Sequence, residues 1–221
     1  MSPTTDDLIA QLGGNLPPVT RLAHPFKRLL HWLMIALPMS LVLGALLEQQ
    51  HLSLALTRPQ EPRLLWELGA IFATALTAGY AALSTAQPGR SQHIWLLPVL
   101  PFLTWLSLVG ESCLQFIDQI GLAQFSFAPH WSCYPTVVAT GFAPAVLMVV
   151  LVNRGAVLRP TQTIVLATLA ASALGAVGLR LYHPPDATVI LLLWQFIATV
   201  TFLGLAGLIS NYMVTRPGKR M

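Results

Sequence analysis

The chain has 221 residues, of which 55% are hydrophobic and only 9% charged; a soluble domain usually carries about 25% charged residues. With a mean hydropathy of +0.66, this composition excludes a water-soluble globular enzyme and is too apolar for a disordered chain. Twelve Lys and Arg against eight Asp and Glu give a net charge of +4 but no basic stripe, so direct nucleic-acid binding is not expected. Two cysteines cannot build a disulfide-rich scaffold. What remains is an all-α, polytopic membrane protein.

The first predicted element is short. Thr4-Thr5-Asp6-Asp7 reads as a helix start, with a hydroxyl cap and acids in the first turn. Leu8, Ile9 and Leu12 share one face, and Gly13-Gly14-Asn15 stops the helix. Pro17, Pro18 and Pro25 make the onward connection extended and stiff. A two-turn helix is marginal alone in water, so its apolar face must rest on lipid headgroups, on its own bundle or in a partner's groove. Residues 1–27 are expected to form this cytoplasmic segment, 28–213 the membrane domain and 214–221 a basic tail.

Crossing ~30 Å of hydrocarbon takes about 20 apolar residues. Six such runs follow: Leu29 to Leu47, Leu64 to Leu83, Ile94 to Gly110, Tyr134 to Val152, Thr161 to Tyr182, and Thr188 to Ile209. The ten-residue alternation of a transmembrane β-barrel is not visible. Pro98 and Pro101 are expected to kink the third run, and the first is too long for a cleaved signal peptide. With the N-terminus in the cytoplasm, Lys and Arg divide nine inside against three outside, which places both ends in the cytoplasm. Small residues at four-residue spacing, Gly69, Ala73, Thr77, Ala81 and again Ala167, Ala171, Gly175, are expected to be packing seams.

Ionisable groups near the bilayer midplane would mark a transport path or proton-coupled chemistry, and the sequence shows none. Glu67 and Arg180 lie about one turn from the outer ends of spans two and five, where they can pair or snorkel. His31 reads as an interface residue. Nucleophile-elbow, phosphate-loop, zinc-protease and Cys-x-x-Cys motifs are all missing, so no catalytic residue is assigned and an enzyme is not expected. The outer loop from Glu111 to Cys133 carries Cys113 and Cys133, with His130 three residues before the latter. His183 opens the outer turn between spans five and six. In an oxidising compartment these residues read as a disulfide or reactive thiol pair, as ligands of regulatory zinc or copper (Cys133, His183 and His130), or as structural residues. No cofactor is required.

The segment Thr5-Asp6-Asp7-Leu8-Ile9, with Leu12, Pro17-Pro18-Val19 and Pro25 before the first span, resembles the start of the NrsF-type regulators. The resemblance continues through Glu67-Leu68 and the Ala/Thr-rich second span. It is strongest where Cys133 opens span four and Asn153-Arg154 with Arg159-Pro160 close it. The turn Leu181-Tyr182-His183-Pro184-Pro185-Asp186 and Trp194 also fit, so nearly the whole chain is covered. The resemblance implies a six-span inner-membrane anti-sigma factor that restrains an extracytoplasmic-function (ECF) sigma factor and responds to metal or oxidative stress through paired outer cysteines. Cys133 matches one of these; the second aligns with His183, and the aromatic after the family's span-six Trp aligns with Gln195. A disulfide between those two positions is impossible here. Cys113 takes that role, Cys133 and His183 act as metal ligands, or this chain senses differently.

The expected function is therefore sequestration of a cognate ECF sigma factor at the bacterial inner membrane by the segment from Thr4 to Leu22. Asp7, Leu8, Ile9, Leu12 and Leu16 are the expected contact residues, and the sigma factor and the lipid bilayer the expected partners. A small transporter, or a membrane subunit or assembly factor of a larger complex, is the alternative.

Overall fold

The structure, a computed structural model, describes residues 4–14, 22–49, 53, 61–120, 133–155, 157–182, 197–201 and 204. Among them it is helical, with no strand: α1 (Thr5–Gly14), α2 (Pro25–Leu47), α3 (Pro62–Thr85), a 3-10 turn (Gln92–Leu96), α4 (Val99–Ile120), α5 (Cys133–Val152) and α6 (Pro160–Tyr182). Five stretches are long and apolar enough to cross a membrane: Pro25–Leu47, Pro62–Thr85, Gln92–Ser112, Tyr134–Val152 and Pro160–Tyr182. The chain is thus a helical membrane protein by length and composition. Of the sixth expected span only 197–201 and 204 are described, as helix; the rest of it, the second half of the outer loop and the basic tail lie outside the described residues.

Proline sets several boundaries, because it lacks an N–H and fits the first helical turn, where no intrahelical partner is needed. Helix α2 starts at Pro25, capped by His24, whose Nδ1 accepts from the Phe26 N–H at 3.3 Å. It begins four residues before the apolar run does, which brings Arg28 into its first turn. Pro98 interrupts the third candidate span as expected: Gln92–Leu96 is a 3-10 turn, α4 opens at Val99 with Pro101 in its first turn, and its first bond runs from the Phe102 N–H to the Pro98 carbonyl at 3.0 Å.

The other end of α4 departs from expectation. The helix continues through Ile120, so Cys113 stands on a helix and not in a loop. Polarity rises after Gly110, but no Gly or Pro interrupts the next ten residues, and Gln115 Nε2 donates to Glu111 Oε1 one turn earlier at 3.1 Å. Charge ends a hydrophobic run; it does not end a helix.

Helix α6 is the centre of the bundle, packing on α2, α3 and α5. Every residue from Ala170 to Arg180 is buried, as befits a helix without a polar face. Two glycines on it allow close approach: a Cβ on Gly175 would stand 2.9 Å from the Gly141 Cα of α5, and one on Gly178 would stand 2.9 Å from the Ser40 carbonyl of α2. Lipid is as apolar as Leu, so such close packing must supply the attraction that water supplies in a soluble core. Ala171 and Gly175 therefore do belong to a seam. The expected seam on α3 holds only at Ala81, which is buried: Gly69 is exposed with nothing within 4 Å of its Cβ position, Ala73 and Thr77 are half-buried, and the buried face runs through Ile71, Thr74, Ala75, Ala78, Gly79 and Ala82. Two four-residue stripes coexist on an Ala-rich helix, and spacing alone does not choose between them.

Candidate functional site: the amino-terminal helix and the buried charges

Helix α1 is held by its own first turn. Thr4 Oγ1 donates to Asp7 Oδ2 at 2.6 Å, the Thr4 N–H reaches the same oxygen at 3.3 Å, and the Asp7 N–H returns a bond to Thr4 Oγ1 at 3.3 Å. This reciprocal capping box satisfies backbone donors that the helix start leaves open. The Thr4 hydroxyl, and after it the Thr4 backbone, hold the Asp7 carboxyl below its ordinary value of 3.8. Asp6 and Asp7 also face the positive end of the helix dipole. The helix has no place among the packed helix pairs of the bundle, and it leaves Leu8 46% and Ile9 63% exposed. Asp7, Leu8 and Ile9 are thus brought onto one solvent-facing helix. The Leu12 side chain and all of Leu16 lie outside the described residues.

The chain that follows α1 is tied to the bundle where α2 begins, here termed the near end. Gln87 Nε2, just past α3, donates to the Ala23 carbonyl at 3.1 Å. The start of α2 in turn bonds to the end of α5, through Arg28 Nη2 to the Leu151 carbonyl. Leu151 is among the last four residues of α5, whose carbonyls lack intrahelical donors, and a cation there also answers the negative end of the helix dipole.

That contact opens an antiparallel polar seam between α2 and α5. Trp32 Nε1 donates to the Pro144 carbonyl at 2.9 Å, and Ser40 Oγ to the Thr140 carbonyl at 2.9 Å. Pro144 sits four residues after Thr140 and has no N–H to offer it. Ser40 supplies the missing donor from the neighbouring helix. At the far end Thr136 Oγ1 donates to Glu48 Oε1 at 3.1 Å, with Glu48 buried beyond the last residue of α2. Sequence reading assigned Arg28 and Glu48 no role. The signal it missed is periodicity: 28, 32, 36, 40, 44 and 48 form one stripe of α2, and all six are buried.

Glu67 and Arg180 form the buried ion pair of the far half. Arg180 Nε lies 2.6 Å from Glu67 Oε1, and Nη2 donates to Glu67 Oε2 at 2.9 Å, a two-pronged contact joining α3 to α6. The pairing is as expected, but the heads do not snorkel: the side chains are only 4% and 6% exposed. Beside them the Tyr182 hydroxyl donates to the Leu41 carbonyl at 3.3 Å, tying α6 to α2. His31 is exposed, with its Nδ1 2.7 Å from the Lys27 carbonyl, as fits an interface residue.

The expected sensor residues are not brought together in what the structure describes. Cys133 is the first residue of α5 and Cys113 lies on α4, with neither side chain described; His130 and His183 lie outside the described residues. Among the described residues no three His, Cys, Asp or Glu side chains stand close enough to hold a metal.

No curated protein and no solved structure matches the chain. A family model does match, from residue 12 to residue 216. That range takes in all five candidate spans, the α2–α5 seam and the Glu67–Arg180 pair, and leaves Asp7, Leu8 and Ile9 just outside it. On that match the chain belongs to the NrsF family, described as the negative regulator of sigma F.

Proposed function

We propose that this chain is an inner-membrane anti-sigma factor that sequesters an ECF sigma factor through its amino-terminal helix and releases it on an envelope metal or oxidative stress signal. Family membership supplies the class of partner. The observation that carries the mode of capture is α1 itself: a capped helix with Leu8 and Ile9 uncovered. An amphipathic helix of this kind docks by laying its apolar face into a groove of its partner. Burying Leu8 and Ile9 stabilises the complex by about 1.5–3 kcal/mol each, from which ordering and association costs are subtracted. Further contacts are therefore required, and the near-end cations Arg90 and Arg154, both exposed, are the proposed source of them.

Release needs a signal that favours one arrangement of the bundle over another. Cys133 opens α5, the helix that meets α2 along the polar seam and so touches the element to which α1 is tethered. The far-end cysteines Cys133 and Cys113, with His130 and His183, are the proposed receivers, and zinc or copper the proposed regulatory ligands. No catalytic step is part of this reading. The docking half is tested by co-purifying the full-length chain with its sigma factor. Leu8→Asp with Ile9→Asp should reduce capture at least tenfold while the protein stays in the membrane fraction; undiminished capture contradicts the reading.

A further inference from the structure

Three buried polar atoms without a hydrogen-bond partner among the described residues, Arg28 Nη1, Ser84 Oγ and Gln162 Oε1, all belong to the near end. There the start of α2, the end of α3, the end of α5 and the start of α6 converge. The links are Gln87 to Ala23, Thr85 to Thr163, and Gly155 against the Ala86 carbonyl. Arg28 is 6% exposed, and Arg154, another cation, stands three residues past the Leu151 carbonyl that Arg28 Nη2 meets.

Among the described residues no acid is bonded to Arg28 or Arg154. Of the described acids, Glu48, Glu61, Glu67, Glu111 and Asp118 stand toward the far ends of the spans, and Asp6 and Asp7 are on α1. A buried cation without a counter-charge costs several kcal/mol. With the candidate spans crossing a bilayer, the near end would fall at headgroup depth, where basic pockets between helices take lipid phosphates.

We propose that the near end of the bundle holds an anion site for a phosphate group, centred on the Arg28 guanidinium and completed by Arg154. Arg28 spends Nη2 on the Leu151 carbonyl and keeps Nη1 for the ligand. Arg154 is exposed and its side chain can swing to admit the anion, closing the site from the membrane surface. A phosphate shared by both guanidiniums turns their repulsion into two charge-assisted contacts. The anionic headgroup of a phospholipid and soluble phosphate offer the same chemistry.

The test uses the full chain in neutral detergent, stripped of lipid and unfolded by heat with phosphatidylglycerol, diacylglycerol or inorganic phosphate added. Phosphatidylglycerol should raise the Tm by several degrees and diacylglycerol should not. Arg28→Gln and Arg154→Gln should each remove most of the rise; the second, a surface change, carries the test if the first does not fold. A rise with inorganic phosphate that is lost in the variants supports the site with a soluble ligand, and no such rise beside a lipid effect assigns the headgroup. An unchanged rise in both variants, an equal rise with diacylglycerol, or no rise with either phosphate compound overturns the proposal. No sigma factor is present, so the outcome is independent of the docking role of α1.

Discussion

Glu67 and Arg180 are the residues whose environment most constrains the molecule. Each is closed off from solvent, and each satisfies the other through two contacts. Such a pair adds little net stability over a well-packed apolar pair, yet removing one member strands a charge and costs about 3–5 kcal/mol. The expected outcome follows from that asymmetry. Glu67→Gln should markedly lower the Tm of the purified chain in detergent, and Glu67→Leu with Arg180→Met should restore most of the loss. A double variant as damaged as the single one would show that the pair does more than neutralise its own charges. Legibility at this scale was partial. Two opposite charges at matching depth in two spans announce a pair, but burial depends on α6 lying at the centre, which no single span reveals. Arg28 and Glu48 were missed for the same reason: a charge at the end of an apolar run looks solvated until the next helix is in place.

Among the elements, α1 was the most legible, because its start is fixed by residues four positions apart at most. Thr4 and Asp7 close a local capping box, and no tertiary contact is needed to foresee it. The pH dependence follows from the same bonds. The folded-state pKa of Asp7 lies below the unfolded one, so its contribution to helix stability is complete above the unfolded value near 3.8 and is lost as pH falls through the lower folded value. Hydrogen exchange of the Asp7 and Leu8 amides should therefore stay protected on acidification to about pH 5 and lose protection in more acidic solution, allowing for the intrinsic pH effect on exchange. Thr4→Ala should abolish that protection at neutral pH, at a cost to the helix of about 0.5–2 kcal/mol. Longer elements were harder to bound. Hydropathy located α2, α3, α5 and α6 within a few residues, but Pro25 and the run past Gly110 show that helices start and stop on backbone chemistry, not on polarity. The packing face of α3 was not legible, since Gly69 and Gly79 are alike in sequence and only Gly79 meets neighbours, Leu29 and Met148.

For the whole molecule, composition alone settled the class, and family membership settled the kind of partner. In the proposed mechanism the amino-terminal tail would report on the membrane bundle through a chain of contacts. α1 is tethered at Ala23 to Gln87, α2 is zipped to α5 from Arg28 to Glu48, and α6 holds α2, α3 and α5 together through glycine contacts and the Glu67–Arg180 pair. A displacement at the far end of α5 would travel along that zipper to the root of the docking helix. The central claim is that α1 is the surface that meets the sigma factor. It is tested most directly by placing a photoreactive amino acid at position 8 or 9 of the full-length protein in living cells and irradiating before the inducing stress is applied. The account predicts a crosslink to the sigma factor from both positions, which also places the amino terminus in the cytoplasm; a sigma factor crosslinked only from the loops at Arg90 or Arg154, and never from α1, would contradict it.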